Sequence, residues 1–210
     1  MTTAFVNAVN FGPYEVLPVE LTDKVREMCL KVSDGGEPQF VPVRPAADAV
    51  VRECYLNVGR CVQADPQGKM VYGWQVWIEK EGRYLNFVHH AVFQNGHGEL
   101  LDPTPAEDGE AQILFVPDAR RVYEGHLIAP HIVPLIEDRV VWEFADAAMS
   151  FYDWHEKHTR AKQDTPKTDE YRRLERRYNE TRVALNLASR ARPVVTNDGP
   201  LAPPKPVFRC

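Results

Sequence analysis

The spacing of hydrophobic and polar positions changes period twice along this 210-residue chain. Residues 20–33 (ELTDKVREMCLKVS) repeat every three to four: Val25, Met28 and Cys29 share a face, Thr22 is an N-cap candidate and Gly35-Gly36 close the pattern, so a helix is predicted. Residues 39–43 (QFVPV) read as extended, and Pro42, with no N–H to give a ladder, places them at an edge or in an irregular segment. After Pro45 a second helix is expected over much of 47–63, with Val50, Cys54, Asn57, Val58 and Cys61 on one face. The period then drops to two. Residues 70–79 (MVYGWQVWIE) and 84–93 (YLNFVHHAVF) are β-branched and aromatic on both faces, as central strands are. Asn95-Gly96 is a turn signal before 99–102 (ELLD), so 84–102 is a hairpin candidate. Further strands are expected at 112–116 (QILFV) and 121–128.

From about residue 137 the period is helical again. Val140, Val141, Phe144, Ala145, Ala148, Met149 and Tyr152 form a broad apolar face, followed by a charged helix over about 168–190. That last helix carries only a thin stripe of Tyr171, Leu174, Tyr178 and Leu185, too short for a coiled coil and suited to packing on the body or on a partner. Five prolines in 193–207 make the end of the chain read as an extended tail. The organisation expected is therefore a core over 1–136, a helical extension over 137–192 and a Pro-rich tail over 193–210.

Charge follows the same division. Residues 1–156 hold 12 Lys and Arg against 24 Asp and Glu, whereas residues 157–192 hold 11 against 5, so an acidic body carries a basic arm. A net charge of −5 argues against a dedicated nucleic-acid-binding domain. The alternating signs on the arm suit a solvated face, and its excess of arginine makes it the place to look for a protein partner or self-association. No apolar run approaches the ~18 residues of a membrane span, and MTTAFVNAVNFG has neither the basic start nor the apolar stretch of a signal peptide. Cys29, Cys54, Cys61 and Cys210 have no regular spacing, so reduced thiols and a cytoplasmic location are expected rather than a disulfide framework.

Three residues stand in an order that carries chemistry: Cys54 on a helix, a His in strand 84–93 and Asp102 at the end of the next strand. A thiolate attacks a carbonyl carbon, an imidazole takes the thiol proton and returns it to the leaving group, and a carboxylate fixes the imidazole tautomer. Adjacent strand residues face opposite sides, so His89 and His90 are alternatives. An odd-length hairpin loop without a bulge puts His90 on the face of Asp102, and a two-residue Asn95-Gly96 turn puts His89 there. Candidates for stabilising an oxyanion are Gln39 upstream and Asn57 one turn after Cys54, although Asn57 also suits holding the helix in place. Tyr72 and Trp74 are aromatic candidates for lining the site. If Asp48 caps the helix, Cys54 lies more than a turn inside it; a start near Arg52 or Glu53 serves a thiolate better.

The other candidates read as structural. Cys29 and Cys61 suit core positions, because free Cys is among the most buried residue types. Cys54 and Cys61 are two helical turns apart, about 10 Å, which is too far to share a zinc ion with ~2.3 Å bonds. His155 and His158 (HEKH) have no third ligand in view and read as a solvated helix face, His126 and His131 as loop residues, and Cys210 as an exposed thiol.

The segments ECYLNV (53–58), VYGWQVW (71–77), HHAV (89–92), GELLDPTP (98–105) and ILFVPD (113–118) resemble those of a family of uncharacterised bacterial and phage proteins. Its members share a CF-x-NV … YGW … HAV … G-x-L-x-D-x-TP … FLPD pattern, and some carry a zinc-binding SEC-C motif that this chain lacks. The order of Cys, His and Asp is similar to that of the transglutaminase-like and arylamine acetyltransferase-like branches of the papain-like enzymes. The resemblance covers about 39–118 and favours His90 over His89. It implies an α+β fold: a papain-like core in which the Cys-bearing helix packs on a mainly antiparallel sheet, with a helical C-terminal extension. It also implies a cysteine hydrolase or acyl/amide transferase of peptidase, isopeptidase, amidase or deamidase type. Such an enzyme acts on a protein, peptide-like or amide substrate through a thioester and needs no cofactor or metal, with Cys54 as nucleophile, His90 as base and Asp102 as orienting acid. The alternative is a non-catalytic protein-binding module on the same scaffold.

Overall fold

A computed structural model describes residues 15–79, 81–107, 109–161 and 167–191. The expected Pro-rich tail at 193–210, with Cys210, lies outside the described residues. The elements run β1 (Glu15–Val16), α1 (Asp23–Ser33), β2 (Gln39–Pro42), α2 (Cys54–Ala64), β3 (Lys69–Glu79), β4 (Tyr84–Gln94), β5 (Leu100–Leu101), β6 (Gln112–Pro117), β7 (His131–Pro134), α3 (Arg139–Arg160) and α4 (Asp169–Ala191). The fold is α+β. The sheet has the order β2-β6-β3-β4-β5 with every strand pair antiparallel, β1 adding to β3 and β7 to β4. One isolated parallel bridge, Val43 to Asp102, joins the ends of that order. Among the described residues no helix is long and apolar enough to cross a membrane.

Most elements form where the periodicity puts them. The Thr22 hydroxyl accepts the Val25 N–H at 3.3 Å to start α1. Asp34 ends it in the left-handed region at φ 57°, with the Gly35 N–H returning to the Leu30 carbonyl at 2.8 Å. α1 sets Val25, Met28 and Cys29 on a core of Trp74, Val76, Leu85, Phe87, Leu114 and Val116. A second cluster, Val41, Val43, Val92, Ile113 and Phe115, fills the region where β2, β4 and β6 converge. Each fully buried large side chain in these clusters contributes about 1.5–3 kcal/mol of transfer free energy.

Several expectations are corrected. The second helix does not begin near 47: residues 44–53 are irregular and α2 starts at Cys54. The Asn57 amide takes both main-chain groups of Val50, accepting its N–H at 3.0 Å and donating to its carbonyl at 2.7 Å, and Arg52 is left-handed at φ 67°. A helix cannot run through a residue pair so engaged. Residues 121–128 form no strand; the Arg121 carbonyl and the Tyr123 ring are instead turned towards β4 and α2. His131, read as a loop residue, lies in β7, with its ring edge-on to Trp74 at 4.7 Å.

The C-terminal helices pack on the sheet. Val141, Phe144, Ala148 and Tyr152 of α3 and Leu185 of α4 pack with Tyr84 and Ile132 of the sheet. The buried Arg83–Glu79 ion pair (3.0 Å) extends to α4, because Arg83 Nη1 also donates to the Leu185 carbonyl at 3.4 Å. His155 and His158 are half-buried rather than solvated: Phe151 and Tyr171 meet His155 edge-on, and Trp154 stacks on His158 at 3.8 Å.

Candidate active site

The site forms where one edge of β4 is left open. β7 pairs with that edge at Tyr84 to Phe87 and β5 at Phe93 and Gln94, so residues 88–92, which include both histidines, have no strand neighbour on that side. α2 packs there through Tyr55, Val58, Cys61 and Val62 against Ala91, Phe93, Met70 and Tyr72. The strand–helix junction therefore brings the first residue of α2, Cys54, to β4.

Cys54 is buried and stands at the very start of its helix, next to Glu53, whose side chain makes no capping bond. The first N–H groups of a helix have no intrahelical partners and form the positive end of its dipole, so this position suits an anion. The β4–β5 connection at residues 95–99 has five residues, the odd-length case, and Asp102 falls opposite Val92 on the face of His90. His90 Nε2 lies 2.8 Å from Asp102 Oδ2, both residues being buried. Cys54 is among the groups that act electrostatically on the His90 ring, which puts its thiol beside that ring. Burial alone would push the His90 imidazolium down, but the charges and hydrogen bonds of Asp102 and Cys54 outweigh it and hold His90 well above its ordinary value.

Asp102 is fixed on all sides. Its Oδ1 accepts the Thr104 N–H at 2.8 Å, its N–H donates to the Pro42 carbonyl at 3.0 Å and its carbonyl accepts the Arg44 N–H at 2.8 Å. The bridge to Val43 thus serves to aim one carboxylate oxygen at His90. Gly73 lies opposite His90 in the β3–β4 register. A Cβ on it would meet the Val116 carbonyl at 2.1 Å and Phe115 Cζ at 2.7 Å, so only a bare Cα lets β6 pass this close to His90.

The remaining sequence candidates part company here. Asn57 is buried and wholly occupied as a clamp: besides Val50, its Nδ2 donates to Thr104 Oγ1 at 3.3 Å, tying α2 to the loop before it and to the turn after Asp102. It is not free to meet an oxyanion. Gln39 is exposed at the far end of β2, paired with Phe115, about 13 Å along the strand from Val43, and takes no part in the site. Trp74 has no exposed surface and does not line the site; it belongs to the core under α1, its indole N–H donating to Asp118 at 3.1 Å. Tyr72 is half-buried and faces α2, its ring 6.4 Å from Tyr55.

His89 has neither ring nitrogen to spare. Nε2 lies 2.8 Å from the Arg121 carbonyl, which can only accept, so Nε2 carries the proton; Nδ1 then accepts the Tyr55 hydroxyl at 2.7 Å. Burial pushes His89 down to about 4. The residues that sequence reasoning missed, Tyr55, Tyr123, Arg121 and Thr104, hold the site rather than compose it. Tyr55, next to Cys54 in the helix, stacks on Tyr123 at 3.7 Å and 6°. Burial first, and then the electrostatic influence of Cys54, raise Tyr55, Tyr72 and Tyr123, which marks all three rings as neighbours of the thiol.

One pH effect follows. His89 is neutral in the folded chain down to about pH 4, while an unfolded His takes up its proton near 6.5. The unfolded state therefore binds more protons between these values, and stability falls as pH drops from about 6.5 towards 4. The loss reaches about 3 kcal/mol if no group compensates. Denaturant unfolding from pH 7 to 4 is expected to show a shallower acid limb in His89→Gln than in the parent; limbs of equal slope would contradict the burial argument.

Among the described residues no three His, Cys, Asp or Glu side chains are grouped to hold a metal ion. Comparison of the chain with protein-family models, with curated proteins and with solved structures finds no match.

Proposed function

We propose that this protein is a cysteine-dependent hydrolase or acyl/amide transferase with a papain-like core. The observation that carries the reading is the 2.8 Å hydrogen bond between His90 and a fully anchored Asp102, with Cys54 at a helix start beside the same ring. With Nε2 turned to Asp102, Nδ1 is the His90 nitrogen left to take the thiol proton. The thiolate then attacks the carbonyl carbon of an amide or ester, and the resulting oxyanion lies against the unpaired N–H groups at the start of α2. His90 passes its proton to the leaving amine or alcohol as the C–N or C–O bond breaks, leaving a thioester on Cys54. Water or an acceptor amine attacks the thioester, His90 takes its proton, and the proton returns to sulfur as the C–S bond breaks. Every group this sequence uses belongs to this chain. The order of Cys54, His90 and Asp102 supports the same reading by its similarity to that of the transglutaminase-like and arylamine acetyltransferase-like branches of the papain-like enzymes.

A panel of thiol-directed activity probes tests it. The other described thiols are poor competitors: burial pushes Cys29 up to about 12, and burial with the Asp48 charge raises Cys61. Labelling is expected at Cys54 in the parent and is expected to vanish in Cys54→Ala. Equal labelling of all four thiols, or a silent Cys54 in the folded protein, would favour the non-catalytic binding module instead.

A further inference from the structure

The second histidine is more elaborately held than a core residue requires. Its Nε2–H is given to the Arg121 carbonyl at 2.8 Å and its Nδ1 receives the Tyr55 hydroxyl at 2.7 Å. Trp74 stands edge-on to it at 5.2 Å, and the Tyr72 ring stacks at 6.0 Å. The carbonyl that fixes it is itself placed: the Arg121 side chain pairs with both oxygens of Glu156 on α3, at 3.1 and 2.9 Å, and Glu156 also accepts the Ala129 N–H at 2.8 Å. Tyr55, at the other end of the line, follows Cys54 directly in the first turn of α2. Tyr123 covers its ring, so hydroxyl and ring are held together.

We propose that His89 is a positioning residue which, through Tyr55, sets where Cys54 stands against His90. A helix whose first residue has no side-chain cap is free to fray there, and fraying would carry the Cys54 sulfur away from the imidazole. The Tyr55 hydroxyl bond to β4 ties down that first turn. The hydroxyl's shorter partner is His89 Nδ1, kept as an acceptor because the Arg121 carbonyl takes the other ring proton, and the His89 carbonyl at 3.4 Å is a second, longer one. The charged and titratable groups around His89 are Tyr55 from α2, Tyr72 from β3, His90 beside it, and Arg121 and Asp118 after β6.

This proposal rests on Cys54 being the nucleophile, and its test separates the two. The second-order rate of iodoacetamide labelling at Cys54 is measured over a pH series in the full chain, in Tyr55→Phe, in His89→Gln and in the double variant. Tyr55→Phe removes one oxygen and keeps the stacked ring, so the fold is retained, which thermal unfolding checks. Each single variant is expected to lower the rate about tenfold, and the double variant to fall no further than the worse single one, as for two ends of one bond. The midpoint of the pH profile is expected to stay where it is, because the base is His90. Parent-like labelling of Tyr55→Phe, losses that multiply in the double variant, or a displaced midpoint would overturn the positioning role. Absence of preferential Cys54 labelling in the parent would instead overturn the functional proposal beneath it.

Discussion

Replacing His90 with Asn is expected to lower turnover of any amide or ester substrate, and probe labelling at Cys54, by about 10²- to 10⁴-fold, the range a positioned general base contributes. The loss is chemical rather than structural. Asn at 90 is smaller than the imidazole it replaces between Asp102 and Phe115, and its amide ends short of the Nε2 position, so thermal unfolding is measured alongside to show that the fold is kept. What disappears is the nitrogen proposed to take the thiol proton. The same exchange at His89 removes no such nitrogen, since both of its ring nitrogens are already bound to Arg121 and Tyr55. A steady-state assay with an activated ester checks both: a His90→Asn variant that retains parent-like turnover would remove the base from the mechanism.

Asp102→Asn is expected to cost about 10³-fold with little change in fold. Its amide oxygen can keep the Thr104 N–H. Its NH₂ group, however, would point at His90 Nε2, where the carboxylate had accepted. Two donors repel, so the imidazole is expected to move its proton to Nδ1, the side that faces the thiol, where it can no longer receive one. A wrong tautomer of this kind costs about 10⁴-fold in serine-type triads. A second signature follows from charge. His90 is held above its ordinary value by Asp102 and Cys54 against the opposing effect of burial. The stability it contributes is therefore complete below the unfolded value near 6.5 and is lost as pH rises through the raised folded value. In Asp102→Asn the main supporting charge is gone, burial acts with less opposition, and the imidazole resonance followed by NMR is expected to titrate at lower pH. An unchanged titration would mean that Asp102 does not govern His90.

Much of this arrangement can be read from local pattern. The β-branched and aromatic runs at 70–79 and 84–93 place β3 and β4 within a residue or so of their bounds, and the apolar stripe from Val140 to Tyr152 places α3. What pattern cannot report is competition for backbone groups. Residues 47–53 have helical spacing, yet the Asn57 amide, seven residues on from Val50, claims the Val50 N–H and carbonyl and leaves Cys54 as the first helical residue. Hairpin parity is equally silent, because Asn95-Gly96 suits a two-residue turn as well as the five-residue loop that forms. Tyr123 and Arg121 lie in a segment without periodicity, and their roles arise only from contacts with Tyr55 and His89. The motif residues, by contrast, acquire plain physical reasons. Asn57 binds the Val50 loop to Thr104, Gly73 admits β6 beside His90, and Trp74 reaches Asp118 across the sheet. Asp118 is held low, the Arg120 and Trp74 hydrogen bonds outweighing its burial, so this contact joins two of the recurring segments by a charged hydrogen bond.

The central claim is that Cys54 forms a covalent acyl intermediate with His90 as its base. Rapid-quench intact-mass analysis with p-nitrophenyl acetate tests it most directly, followed by mapping of the acylated peptide. The account predicts a burst of p-nitrophenol matched by one acetyl group on the peptide carrying Cys54, followed by its slower release to water. It predicts that the burst is absent from Cys54→Ala and strongly slowed in His90→Asn. Acetylation spread over several cysteines and lysines, or a folded protein whose Cys54 stays unmodified while the ester is consumed, would contradict it.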